Sequence, residues 1–110
     1  MPVIRIDYEK SVNEDQIRAL AEAMYPIAAE ASGRALEEQS VYAQPNYMTV
    51  GAAPVEVYVE AGPLAIPGGD KEKMLAVVEK GIREFKEKQG FSTPITISIV
   101  EMNWKVKVGV

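Results

Sequence analysis

Residues 2–8 read PVIRIDY and residues 54–60 read PVEVYVE, so a strand led by Pro-Val restarts 52 positions further along the chain. The elements after each start repeat as well. A helical pattern ends at Gly33 in the first copy and at Gly90 in the second, 57 apart, and another strand comes next at Val41 and at Ile95, 54 apart. A nearly constant offset through strand, helix and strand marks a duplicated β-α-β unit. Such a unit admits few folds, because a strand joined to the next through a helix makes a parallel pair by a right-handed crossover, with the helix on one face.

In the first copy VIRIDY reads as a short strand, and SVNEDQ offers a capping box from Ser11 with Glu14 or from Asn13 with Gln16. Ile17, Leu20, Ala21, Met24, Ile27, Ala28 and Ala31 recur at three- and four-residue steps, which predicts one helix to about Ser32 with a single buried stripe and a left-handed stop at Gly33. Pro26 removes a backbone donor inside that helix and predicts a bend. SVYAQ at 40–44 is the second strand, and PNYMTVGAAP is a link whose Pro, Asn and Gly break regular structure. In the second copy VEVYVEA is a strand, Asp70 is the N-cap, and Met74, Val77, Val78, Gly81, Ile82 and Phe85 form a second helical stripe. ITISIVEM is the last strand.

Each helix has only one apolar stripe, so both are expected on one face of a common sheet. The strands agree: Val55, Val57 and Val59 alternate with Glu56, Tyr58 and Glu60, and Ile95, Ile97 and Ile99 alternate with Thr96, Ser98 and Val100. The expectation is an α+β fold in one domain, 1–110, with repeats at about 2–50 and 54–103 and a four-stranded mixed sheet carrying two helices on one face. The polar second face suits closure around a hydrated axis with further copies of the chain. The tail KVKVGV, with Lys105 and Lys107 alternating with Val106 and Val108, reads as a C-terminal edge strand at 104–110, crossing a subunit boundary or protecting an edge by its charge.

Zero Cys and zero His remove thiol nucleophiles, disulfides, imidazole bases and the commonest transition-metal ligands at once. Proton chemistry is left to Asp, Glu, Lys, Tyr or the amino terminus, with no cofactor or metal implied. Sixteen acidic residues against twelve scattered basic ones argue against a nucleic-acid partner. No apolar run has the length of a membrane span or the form of a signal peptide, so the expected location is the cytoplasm, away from the membrane.

A duplicated β-α-β unit of this size that opens MPVIRI resembles the tautomerase superfamily, in particular its two-repeat members of the macrophage migration inhibitory factor and 5-carboxymethyl-2-hydroxymuconate isomerase kinds. Ser32-Gly33-Arg34 after the first helix and Glu101-Met102-Asn103 closing the last strand carry the resemblance further. It covers essentially the whole chain.

The resemblance implies a homotrimer in which the initiator Met is removed and the secondary amine of Pro2 is the general base, moving a proton between carbons of a small anionic keto or enol acid. The chemistry is reasonable, since an α-amino group titrates near roughly 8 and an apolar pocket favours its neutral form. The bland alternative is that Pro2 only starts a strand where no ladder donor is needed, as Pro54 does. Arg34 matches a position at which relatives hold a substrate carboxylate with a Lys; the alternative is an exposed base at a helix end. The substrate-polarising Tyr and Asn of relatives fall on Thr96 and Ser98, which keep hydrogen-bonding capacity, and the two arginines of the 4-oxalocrotonate tautomerase branch fall on Val12 and Tyr42. Asn103 and Trp104 are the remaining candidates for substrate contact, with Tyr42, Tyr47 and Tyr58 as aromatic lining or interface.

Among the carboxylates, Asp7 with Glu9, Glu37 with Glu38, and Glu56 with Glu60 are paired outside helices, and their regular placement suits a solvated face better than an acid-base dyad. Pro67-Gly68-Gly69-Asp70 precedes a helix, but its acidic cap would repel phosphate and the Lys of a phosphate loop is not at its spacing. Two functional classes stay open: a tautomerase dependent on Pro2, and a non-catalytic oligomeric binding protein of the same fold.

Overall fold

Two short side chains set where the helices begin. The Asn13 carboxamide accepts a hydrogen bond from Gln16 N at 3.1 Å and starts α1 (Glu14–Ser32), and the Asp70 carboxylate accepts one from Lys73 N at 3.0 Å and starts α2 (Lys71–Gln89). Of the two capping boxes open in the sequence, the Asn13 one supplies the cap. Both helices have 19 residues and both stop at a glycine in the left-handed region, Gly33 at φ 68 and Gly90 at φ 66, where a side chain would be strained. The computed structural model describes residues 2–110, and Met1 lies outside them.

The strands are β1 (Val3–Tyr8), β2 (Ser40–Pro45), β3 (Val55–Ala61) and β4 (Ile95–Glu101), in the spatial order β2-β1-β3-β4. Each crossover makes a parallel pair, β1 with β2 from Val3↔Ser40 and β3 with β4 from Val55↔Ile95. The two units meet in the middle, where β1 and β3 run antiparallel from Val3↔Glu60 to Tyr8↔Val55. The expected mixed four-stranded sheet is formed.

Alternation along the strands then divides the faces. Ile4, Ile6, Val55, Val57 and Val59 are fully buried against Leu20, Met24 and Ala28 of α1 and Met74, Val78 and Ile82 of α2. Each such aliphatic side chain is worth about 1.5–3 kcal/mol of burial. Pro26 is exposed and α1 runs on through it. The helices pack closely at Gly81, where an added Cβ would lie 2.8 Å from Ile27 Cγ1.

Three short 3-10 turns, Leu36–Glu38, Pro63–Ala65 and Pro67–Gly69, were not legible in the sequence, because three residues carry no periodicity. Residues 102–110 take no strand conformation. The edge strand expected at 104–110 is therefore not formed within the protomer: the chain leaves β4 at Glu101, Trp104 settles against Gly62, and no strand lies alongside the KVKVGV alternation. Among the described residues no helix is long and apolar enough to cross a membrane.

Ala is a better helix former than Gly by about 1 kcal/mol, so Gly81→Ala would stabilise an unopposed helix. Here the clash with the branched Ile27 side chain wins, and thermal or denaturant unfolding should show a loss of about 1–3 kcal/mol. Ile27→Ala in the same chain should recover part of it, and a stabilised single variant would contradict the close crossing.

Candidate functional site

Because β1 and β3 are antiparallel, the start of β1 lies beside the end of β3. The start of β2, parallel to β1, and the end of β4, parallel to β3, reach the same end of the sheet. This end gathers Pro2, the turn after α1, Gly62 and the segment after β4.

Pro2 is fully buried, and its carbonyl accepts a hydrogen bond from Ser40 N at 3.3 Å, which ties the first residue of the first unit to β2. Pro54 occupies the opposite end of the sheet, within the chain, where its carbonyl accepts from Glu9 N at 2.9 Å. The two prolines are equivalent in architecture. Only Pro2 stands where processing of the chain's first residue would expose an amine.

Arg34 follows the Gly33 stop. Its backbone N–H donates to the buried Ser32 hydroxyl at 3.2 Å, and its guanidinium faces Glu38, with Nε to Oε2 at 2.7 Å and Nη2 to Oε1 at 3.4 Å. The side chains of Arg34 and Glu38 are 42% and 40% exposed, so water screens the pair and its net worth is small. Arg34 thus sits at the Pro2 end with the Glu38 carboxylate in its fork.

Trp104 is half-buried, with its indole Nε1 about 3.3 Å from where a Cβ on Gly62 would stand, and Met102 N bonds Ala61 O at 2.8 Å to lead the chain there. Asn103 is exposed between them. Thr96 and Ser98 are not brought to this group. Thr96 pairs with Glu56 and Ser98 with Tyr58, five and three positions back from Ala61, roughly 16 and 10 Å along the strand. Within one protomer they belong to the polar face.

That face has its own electrostatics. Arg5 Nη1 meets Glu60 Oε1 at 2.7 Å, Arg5 Nε meets Asp7 Oδ2 at 3.4 Å, and the guanidinium carbon lies 4.7 Å from the centre of the Tyr58 ring. Partial burial foremost, and then the Glu56 and Asp7 carboxylates, push the Tyr58 hydroxyl above its ordinary value, against a smaller opposing pull from Arg5. Tyr58 is a neutral phenol throughout the working pH range. Tyr42 and Tyr47 are exposed, and Tyr47 lies at the other end of the sheet beside Lys10, whose Nζ is 5.1 Å from its ring centre. Among the described residues no group of three or more carboxylates is placed to hold a metal ion.

The residue that sequence reasoning missed is Gln39. It is 2% exposed, its Nε2 donates to Ala35 O at 3.1 Å, and its Oε1 has no partner. Nothing in LEEQS singles it out, and it turns inward directly after the 3-10 turn over Leu36–Glu38.

No family model matches the sequence, and no curated protein matches it. Solved structures do match. Malonate semialdehyde decarboxylase, described with decarboxylase and hydratase activities, superposes with a TM-score of 0.70 at 15% identity, over 98% of this chain and 92% of that one. A macrophage migration inhibitory factor-like protein from Entamoeba histolytica gives 0.65 at 16% identity, over 96% and 95%. A fused 4-OT, described as a symmetric trimer, gives 0.70 at 13% identity, over 98% and 94%.

The Arg34–Glu38 pair is open to a direct check. A double-mutant cycle of Arg34→Ala and Glu38→Gln should give a coupling of about 0.3–0.5 kcal/mol in unfolding free energy. A coupling above about 1.5 kcal/mol would mean that the pair is a structural clamp rather than a fork open to exchange. Matched over nearly its whole length by these structures, this chain has the tautomerase and macrophage migration inhibitory factor type of fold.

Proposed function

We propose that the protein is a tautomerase in which the free amine of Pro2 is the general base, acting on a small anionic keto or enol acid. The observation that carries this reading is the burial of Pro2 at the end of the sheet that also holds Arg34. Burial disfavours the ammonium form and leaves a neutral lone pair, and a guanidinium at the same end suits a carboxylate. A base tuned in this way contributes on the order of a hundredfold to ten-thousandfold in rate. Removal of Met1, on which the amine depends, concerns a residue outside the described ones. The decarboxylase and hydratase activities named for one structural neighbour make decarboxylation and hydration natural relatives of the proposed isomerisation.

The same reading takes 1–110 as one cytoplasmic domain that works as a homotrimer. Two open edges at β2 and β4 and a polar sheet face favour threefold closure, and a neighbour described as a symmetric trimer supports it. Thr96 and Ser98, which lie away from Pro2 within one protomer, would serve the site only from a neighbouring copy, and only there would the 104–110 tail have a strand to join. A second reading, an oligomeric binding protein without catalysis, is favoured by the carboxylate already seated on Arg34.

Preparations with Pro2 at the amino terminus, verified by intact mass, should ketonise phenylpyruvate or 2-hydroxymuconate faster than buffer does. A form that keeps Met1 or carries one added residue has an amide there and should lose that rate. Activity that survives the blockage would refute Pro2 catalysis, and inactivity of the free-amine form on a broad panel of keto acids would favour the binding protein. Arg34→Ala should raise KM severalfold and leave kcat within a small factor, because a carboxylate contact is made in ground and transition states alike. Glu38→Gln, by freeing the fork, should lower KM about twofold, matching the pair's few tenths of a kcal/mol. Light scattering at micromolar concentration should return three times the mass of the chain, and a monomer would remove the shared-site arrangement.

A further inference from the structure

We infer that Gln39 is the residue that positions the Pro2 amine, with its side-chain Oε1 accepting the hydrogen bond of the Pro2 N–H; this rests on the reading that Pro2 carries a free amine. Among the described residues, Gln39 Oε1 is the one buried side-chain polar atom without a partner. Its identity as oxygen is settled by the other end of the amide, because only the nitrogen can donate to Ala35 O at 3.1 Å. A buried acceptor left without a donor costs about 1–3 kcal/mol, so a donor is missing from this end of the sheet.

The strand register says where that donor stands. Val3 pairs with Ser40, and Ser40 N bonds Pro2 O at 3.3 Å, so Gln39 runs alongside Pro2 one step before the first pair. Both residues are buried, and both fall on the helix-facing parity of their strands, Pro2 two before Ile4 and Gln39 two before Val41. A proline nitrogen inside a chain has no hydrogen and can donate nothing. Once it is the first atom of the chain, it carries one hydrogen as the neutral amine and two as the ammonium. The free amine is thus the donor that Gln39 lacks.

The proton account closes without any added reagent. In the neutral amine the single N–H is held by Gln39, which fixes the direction of the lone pair. The lone pair takes a proton from a substrate carbon, the ammonium then has two N–H groups, and the one not held by Gln39 returns to the carbon at the other end of the enol. Because a hydrogen bond from a charged donor is stronger than one from a neutral donor, Gln39 favours the ammonium and works against the effect of burial. The charged groups at this end include Glu30 near the end of α1, Arg34, Glu37 and Glu38 after it, Arg5 and Glu60 on β1 and β3, Asp70, Lys71 and Lys73 at the start of α2, and Glu101, Lys105 and Lys107 at and after the end of β4. All of them are left intact in the test.

The experiment uses the full chain prepared with Pro2 at its amino terminus and labelled with 15N-proline and 13C-glutamine. The Pro2 nitrogen is titrated by NMR in the native chain, in Gln39→Leu and in Gln39→Glu. Loss of the acceptor in Gln39→Leu should lower the midpoint by about one pH unit, a tenfold change, and the carboxylate of Gln39→Glu should raise it. In the native chain, with no substitution to perturb folding, the Gln39 side-chain carbonyl shift should follow the Pro2 midpoint. A carbonyl shift that stays flat through the titration, or a folded Gln39→Leu with an unchanged midpoint, would overturn the assignment. Either result leaves Pro2 catalysis standing if turnover persists. Coupled titration in a chain inactive on keto acids would instead retain the Gln39 contact and remove the tautomerase reading.

Discussion

The antiparallel seam between β1 and β3 is the contact on which the rest depends. Each β-α-β unit makes its own parallel pair, but neither unit alone covers the apolar face that its helix needs to share. Ile4 and Ile6 on β1 lie opposite Val59 and Val57 on β3, all fully buried, and this strip is the floor on which both helices rest. The direction of the seam has a chemical consequence. It places the start of β1 beside the end of β3, so the first residue of the chain shares an end of the sheet with the segment leaving β4 and with the turn leaving α1. A parallel seam would have put Pro2 and Pro54 at one end and left the chain's amino terminus among loops of a different composition.

The seam also explains the unused face. With both helices on one side, Arg5, Asp7, Glu56, Tyr58 and Glu60 are collected on the other, where Arg5 links Glu60 and Asp7 and covers the Tyr58 ring. Glu60 is only 15% exposed in that arrangement, so the ion pair nearest the Pro2 end is the better shielded one. A face of this kind is stable in water but does not bury apolar area, and the stability of the single chain rests on one core layer. Assembly through the open edges of β2 and β4, as proposed above, would add the apolar burial that the single chain lacks.

Features with a short range along the chain were legible from the sequence. The helical stripes, the Asp70 cap and the left-handed stops at Gly33 and Gly90 each depend on residues within a turn or so of one another, and the repeat spacing revealed the crossovers. Contacts set by tertiary placement were not. Gly81 looked like one more residue of a stripe, and only the helix crossing shows that it is small because Ile27 is there. Nothing in the sequence pairs Arg34 with Glu38, because the Gly33 stop and the turn after it decide that they meet. Gln39 gave no signal, because its burial depends on a three-residue turn with no periodicity. Thr96 and Ser98 match relatives by position only, and the register places them away from Pro2 within one protomer.

In the proposed function Pro2 is a neutral amine in a site that admits a small keto acid. The direct measurement is labelling with a conjugated alkynyl 2-keto acid, to whose triple bond a neutral amine adds without loss of any group, followed by mass mapping of the peptides. The account predicts one adduct per chain on the Pro2 nitrogen when that residue is first, and none there when a residue precedes it. Adducts spread over surface lysines, with an unmodified Pro2 at the amino terminus, would contradict it.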